Sequence, residues 1–146
     1  MEIVVRQLEA GDYDKGFLGL LSQLTTVGDI DRAKFEERLK EVSSPDYYIA
    51  VAEDAASGKL LGTAALVIER KFIHGCGKVG HIEDVVVDAA ARGQRLGQRL
   101  VEELVSVSRS RGCYKVILDC AEHNVAFYEK CGLTRKEVQM VQYLDR

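Results

Sequence analysis

The chain reads as an α/β protein, with helices packed on a mixed sheet. Three observations predict this. The stretch 80–104, GHIEDVVVDAAARGQRLGQRLVEEL, passes from an apolar β-branched run (Val85-Val86-Val87) through a basic, glycine-containing turn into a helical pattern. That pattern puts Leu96, Leu100, Leu104 and Val107 on one face. Strand-like runs at 79–88 and 115–119 flank the helix, so it crosses over between them, and a right-handed crossover makes the two strands parallel. Finally, 146 residues at 47% hydrophobic and 29% charged suit one globular domain, 1–146, with a real core.

Taken in order, residues 2–8 alternate enough for a first strand. Asp12 is placed to cap a helix running to Leu24, with Leu18, Leu21 and Leu24 inward, and Thr25-Thr26-Val27-Gly28 breaks it. Asp31 is placed to cap a second helix over 33–42, with Phe35 and Leu39 on one side. The turn 43–46 holds the only proline. Strands are expected over 47–53 and 59–72, joined by a hairpin-like loop, and a further loop spans 73–77. After the strand at 79–88 comes a helix over 93–111, which Gly112 ends. A short buried strand over 116–119, a short helix over 125–130 and a closing strand over 133–144 complete the chain.

Net charge of −3 gives no general nucleic-acid footprint. No apolar stretch reaches the roughly 18–20 residues of a membrane span. MEIVVRQLEAGD reads as a strand start and not as a signal peptide. Cys76, Cys113, Cys120 and Cys131 form no C-x-x-C pair, and His74, His81 and His123 add no ligand pattern, so no metal is expected. Reduced thiols in the cytoplasm, or another reducing intracellular compartment, are the expectation.

A helix opening on a glycine turn offers free backbone N–H groups and the positive end of its dipole, which suits phosphate or pyrophosphate. The turn is neither G-x-G-x-x-G nor a Walker loop. Taken alone, it is equally consistent with an ordinary strand-to-helix connection. The spacing Arg92-x-x-Arg95-x-Gly97 resembles the acetyl-CoA pyrophosphate loop of the GNAT N-acetyltransferases, usually Gln/Arg-x-x-Gly-x-Gly/Ala. It departs at Arg95, where glycine is usual. GHIEDVVV at 80–87, GCYKVILDC at 112–120 and NVAFYEKCGL at 124–133 are similar to the glucosamine-6-phosphate branch of that family, as are LTTVG at 24–28 and IERKFIHG at 68–75. The resemblance covers nearly the whole chain, in order.

This resemblance implies a mostly antiparallel sheet with a central splayed parallel pair and flanking helices. It implies direct acetyl transfer from acetyl-CoA to the 2-amino group of glucosamine 6-phosphate, in a ternary complex, on the way to UDP-N-acetylglucosamine. Acetyl-CoA would lie against the backbone of Val85, Val86 and Val87, with its pyrophosphate at Arg92, Gly93, Gln94, Arg95, Leu96, Gly97 and Gln98. Asn124 matches a further cofactor position, although it also suits a helix cap. Tyr128 matches the residue that protonates coenzyme A; by residue type alone it is an aromatic that packs. Glu83 and Asp119 would hold sugar groups, and the Asp84 carbonyl would accept from the attacking amine. Glu83 and Asp84 adjoin on a strand, so their side chains should face opposite ways. Lys71, His74 and Lys115, with Thr25 and Tyr114 as neutral partners, match the sugar-phosphate positions. A family arginine near the C-terminus is replaced here, at Gln142 or Tyr143, with Arg146 beyond. A homodimer sharing its active site is also implied. Two other readings keep the cofactor turn: acetylation of a different amine, and a non-catalytic acyl-CoA-binding module.

Overall fold

The computed structural model describes residues 1–146. The elements run β1 (Ile3–Gln7), α1 (Phe17–Leu21), α2 (Arg32–Glu41), β2 (Tyr47–Asp54), β3 (Leu60–Arg70), the single turn α3 (Ile73–Cys76), β4 (Lys78–Val87), α4 (Leu96–Ser110), β5 (Cys113–Ile117) and α5 (Val125–Lys130). They form one five-stranded sheet in the order β1-β2-β3-β4-β5. Neighbours pair antiparallel up to β4, and β4 pairs with β5 in parallel. This is the mixed sheet expected from the sequence.

Alternation along β2, β3 and β4 gives the sheet two apolar faces, and helices cover both. On one face Ala50, Ala52, Ala64, Leu66, Ile68 and Ile82 meet Leu100, Val101 and Leu104 of α4. Complete burial of those three α4 side chains stabilises the fold by about 1.5–3 kcal/mol each. On the other face Val51, Leu60 and Val86 meet Phe17 and Leu20 of α1 and Phe35 of α2. Asp31 caps α2 as expected, its Oδ1 accepting from Lys34 N at 2.8 Å.

The parallel pair is where the site forms. Pairing runs from Lys78↔Cys113 to His81↔Ile117 and stops there, while β4 continues to Val87. The closed end is tight because Gly80 has no side chain. A Cβ there would lie 2.7 Å from Ser108 Oγ and 3.2 Å from Val116. Helix α4 and strand β5 therefore close on β4 at this end, and the strands part at the other. A β-bulge sits in the open half. Thr63 opposes Val86 and Ala65 opposes Glu83, so β4 carries one extra residue, with Asp84 at φ 51°.

Several expectations need correction. The helix foreseen over 12–24 is broken at Gly16, whose φ of 88° separates a 3-10 turn, Ala10–Lys15, from α1. Asp12 is not its cap but a buried partner of Arg6. Loop 73–77 contains the turn α3, with left-handed φ at His74, Gly75 and Cys76. Helix α4 begins at Leu96 rather than at residue 93, because Gly93 and Arg95 both take positive φ. Strand β5 is an edge strand and is not buried: Tyr114 is 40% and Ile117 39% exposed. Asp119 lies past its end. The closing strand does not form. Residues 133–146 contain no strand, and Val138, Met140 and Tyr143 are all more than 80% exposed. A strand needs an edge to pair with, and within one chain this segment reaches none.

Candidate active site

The turn before α4 presents backbone donors and two arginines. Arg95 occupies the N-cap position at φ 59° and ψ 25°, with no side-chain cap on the helix. The N–H groups of Leu96, Gly97 and Gln98 belong to the first turn of this helix, where no carbonyl lies behind them to accept. Arg92 and Arg95 are exposed and enter none of the ion pairs of the chain. Gly93, at φ 93°, and Gln94 complete the exposed loop. The Leu96 side chain is buried against Leu61 and Ala91, so only its backbone is available. The Gln98 amide donates to Glu102 Oε1 at 3.1 Å, which again leaves the backbone. Gly97 packs on α5: a Cβ there would lie 3.0 Å from the Phe127 ring.

From this turn the gap between the parted strands leads to three carboxylates. Beyond His81 the β5 side of β4 has no strand partner, so the backbone around Val85 and Val87 can receive an extended amide chain as an added strand. The Val86 side chain belongs to the core beneath α1, while Val85 and Val87 pack toward α4. Burial first, then the charges of Asp84 and Asp119, raise the Glu83 carboxyl above its ordinary range, and His81 opposes this. The bulge overturns strict alternation here. Glu83 and Asp84 both line one cleft of about 650 Å³ between the sheet and α1–α2, with Phe17, Phe35, Tyr47 and Ala65 among its apolar walls. Asp119 Oδ2 accepts from Gln139 Nε2 at 3.0 Å, a contact with no signal in the sequence.

A group whose folded pKa is raised favours the fold most at low pH, and that contribution fades as pH rises through the folded value. Above that value the Glu83 carboxylate therefore works against folding. Replacing Glu83 with glutamine should raise Tm at pH 7 by a degree or two, because solvent screens part of the repulsion; about 1 kcal/mol would give 2–4 °C in a domain this size. Melting at pH 7 and pH 4 checks this, and the gain should vanish at pH 4. An unchanged or lower Tm at pH 7 removes the repulsion.

Tyr128 is half-buried on α5. Burial raises its phenol above the ordinary value, and Cys120 and Cys131 add to the shift. The phenol therefore keeps its proton at neutral pH. Its ring packs edge-on against Phe127, with centroids 4.9 Å apart, and Phe127 rests on Gly97, so the cofactor turn and the phenol are positioned by one run of contacts. Asn124 makes no side-chain cap bond to α5, so its amide is free to meet a ligand.

The foreseen cations are only partly assembled. The His74 and Tyr114 rings stack 4.3 Å apart, and Lys115 Nζ lies 5.9 Å from the Tyr114 centroid. Lys71 instead pairs with Glu69 at 3.2 Å, and Glu69 also holds His81 at 2.9 Å. Thr25 is exposed on the α1–α2 loop and makes no side-chain hydrogen bond to the others. No group of three His, Cys, Asp or Glu side chains is placed to hold a metal ion.

A splayed parallel strand pair, an uncapped basic turn at one end and carboxylates with a protonated phenol at the other define an acyl-transfer architecture. The chain belongs to the acetyltransferase (GNAT) family, whose model matches residues 16–133. It is 49% identical over 143 residues to a glucosamine 6-phosphate N-acetyltransferase of Arabidopsis thaliana, covering 97% of this chain and 96% of that protein. It is 52% identical to the Trypanosoma brucei brucei protein of the same name, covering 96% and 95%. The crystal structure of the glucosamine-6-phosphate N-acetyltransferase from Arabidopsis thaliana superposes with a TM-score of 0.96 at 47% identity, covering 99% of this chain and all of the other.

Proposed function

We propose that this chain, working as a single domain, transfers acetyl from acetyl-CoA to the 2-amino group of glucosamine 6-phosphate, by direct attack in a ternary complex. The observation that supports this reading is the unpaired half of β4 beyond His81, which carries Glu83 and Asp84 and leads into the uncapped basic turn at 92–97. The relatives named for this reaction support the same acceptor. Bound acetyl-CoA supplies an activated thioester. The first-turn N–H groups of α4, with Arg92 and Arg95, hold the pyrophosphate. The unpaired backbone of Val85–Val87 aligns the pantetheine amide and offers an N–H toward the developing oxyanion. Glu83 and Asp119 hold sugar hydroxyls, and the Asp84 carbonyl accepts from the amine. Tyr128 gives its proton to the departing sulfur, and the proton shed by the acetylated nitrogen passes to solvent, from which the phenolate is reprotonated.

A glutamate at Gly97 would put a carboxylate beside the pyrophosphate and force Phe127 aside. Charged hydrogen bonds are worth about 1.5–3 kcal/mol, so affinity for acetyl-CoA should fall roughly 10–100-fold while the apo fold survives. Calorimetry giving wild-type affinity would reduce the loop to a plain turn.

The phosphate site rests on Lys115, His74 and Tyr114, with Thr25 closing from the α1–α2 loop, and the chain works as a homodimer. The exposed apolar side chains at 138–144 support this: a second copy supplies the edge the segment lacks. A group from the partner's tail then completes the phosphate site. The four free thiols suit the cytoplasm. A thiol-release assay across amino sugars is the primary test. We expect kcat/KM for glucosamine 6-phosphate to exceed that for glucosamine by roughly 10–100-fold per phosphate contact. Lys115→Ala should narrow the ratio through acceptor KM and keep acetyl-CoA affinity. Equal use of both sugars sinks the phosphate assignment, and a fully active monomer by light scattering sinks the shared pocket.

A further inference from the structure

One side-chain hydrogen bond joins the two loops that flank this site. The Gln23 Oε1 atom, in the turn that ends α1, accepts from Ala89 N at 3.0 Å, across 66 residues of sequence. The neighbouring Asp88 carboxyl is held below its ordinary range, mainly by the Ala90 N–H bond. Asp88 links β4 to the 3-10 turn that leads into the 92–97 loop. Its N–H donates to Leu61 O at 2.8 Å, its Oδ1 accepts from Ala90 N at 2.8 Å, and Lys59 lies 3.6 Å from its Oδ2. On the other side, Gln23 stands two residues before Thr25, in a turn whose N–H groups bond back to α1, from Gln23 N to Leu20 O at 3.1 Å and from Thr25 N to Leu21 O at 3.2 Å. Tyr13 Oη donates to Ile30 O at 3.3 Å near the far end of the α1–α2 loop, and the residues between are mostly exposed.

We propose that Gln23 is a positioning residue that couples the two ligand sites, so that filling the 92–97 turn raises affinity for the acceptor. The inference rests on the acetyltransferase reading above. The two loops share this one side-chain hydrogen bond, and Thr25 follows Gln23 by two residues. A ligand that fixes the β4–α4 turn fixes Ala89, and Ala89 then holds the α1–α2 loop through Gln23. By linkage, the acceptor must tighten binding of the cofactor by the same factor. Gln23 touches neither ligand in this scheme, so its loss should spare each binary affinity and remove only the synergy.

Either end of the bond can be removed. Gln23→Ala deletes the acceptor. Ala89→Pro deletes the donor at the first position of the 3-10 turn Ala89–Ala91, where proline is tolerated, and Asp88, at φ −51° and ψ 131°, already has the backbone that precedes a proline. Lys59→Ala perturbs Asp88 without touching the bond and serves as control. Calorimetry measures glucosamine 6-phosphate binding to the whole protein with and without saturating CoA. In the wild type and in Lys59→Ala, CoA should tighten the sugar at least about fivefold. In Gln23→Ala, in Ala89→Pro and in the double variant, the factor should drop below about twofold, with the effect lost once rather than twice. An undiminished factor in Gln23→Ala, or no synergy in the wild type, overturns the coupling. A wild type that binds neither CoA nor the sugar overturns the acetyltransferase reading, and the coupling with it.

Discussion

Tyr128→Phe lowers kcat by about 10²–10⁴ and leaves the fold intact, as expected for loss of a positioned general acid. The ring keeps its edge-on contact with Phe127, so only the hydroxyl is lost. The hydroxyl has a raised pKa, set by burial and then by Cys120 and Cys131, which keeps it protonated through neutral pH. The wild-type rate should therefore decline on the alkaline side as the phenol ionises, and the variant should lack that limb. A pH–rate profile of both proteins with acetyl-CoA and glucosamine 6-phosphate makes the comparison. A Tyr128→Phe enzyme at full speed at every pH takes the phenol out of the reaction. The Cys120 thiol beside Tyr128 is not the acid in this scheme, so Cys120→Ala should retain the wild-type profile.

What could be read from the chain follows the range of the forces involved. Strands β2 and β4 and helices α2 and α5 were legible because each rests on local signals: an apolar period, a cap such as Asp31, a stop such as Gly132. The parallel pair was legible because a crossover helix of known handedness leaves little choice. The late start of α4 and the turn α3 are local misses, set by positive φ at Gly93, Arg95 and His74, and the larger misses are long-range. Gly16 breaks its helix where Asp12 turns inward to meet Arg6 of β1, a partner no local pattern names. Strand β5 looked buried because Val116-Ile117-Leu118 is apolar, but it is an edge strand, and its exposed side has no neighbour within one chain. The tail at 133–144 alternates like a strand for the same reason and stays unpaired. At the site, residue types pointed to the carboxylates and the phenol, and the resemblance assigned their roles. The bulge at Asp84 was invisible, since it reflects a register between β3 and β4, and it is what brings Glu83 and Asp84 onto one cleft. Gln23 carried no signal because its partner is a backbone N–H far along the chain.

Asp12→Ala should destabilise the fold by about 3–5 kcal/mol, the loss expected when one partner of a buried ion pair is removed. Asp12 is fully buried and accepts from Arg6 at 2.9 and 2.7 Å and from Glu9 N at 2.9 Å. Without it, a partly buried guanidinium and a backbone N–H lose their acceptor together. Arg6 keeps Glu53 at 3.1 Å, which Lys15 also holds at 2.8 Å, with the Gln7 carbonyl at 3.1 Å and the exposed Glu9 at 3.8 Å. In a domain of this size such a loss lowers Tm by roughly 6–20 °C. Asp12→Asn, which keeps an acceptor but no charge, should fall between. The network ties β1 to β2 at the sheet edge away from β5, so kcat of the folded variant at 25 °C should match wild type. Acid adds a separate signature. Lys15 first, then Arg6, hold the Glu53 carboxyl below its ordinary range. Its contribution is therefore present above the unfolded value of about 4.3 and is lost as pH falls through the lower folded value. Glu53→Gln should flatten the decline of Tm below pH 5, while Asp12→Ala, which leaves Arg6 and Lys15 on Glu53, should keep it. Thermal melts of the three variants between pH 3 and pH 8 decide the matter. An Asp12→Ala protein melting within 2 °C of wild type at pH 7 would mean that burying the pair costs as much as the pair returns.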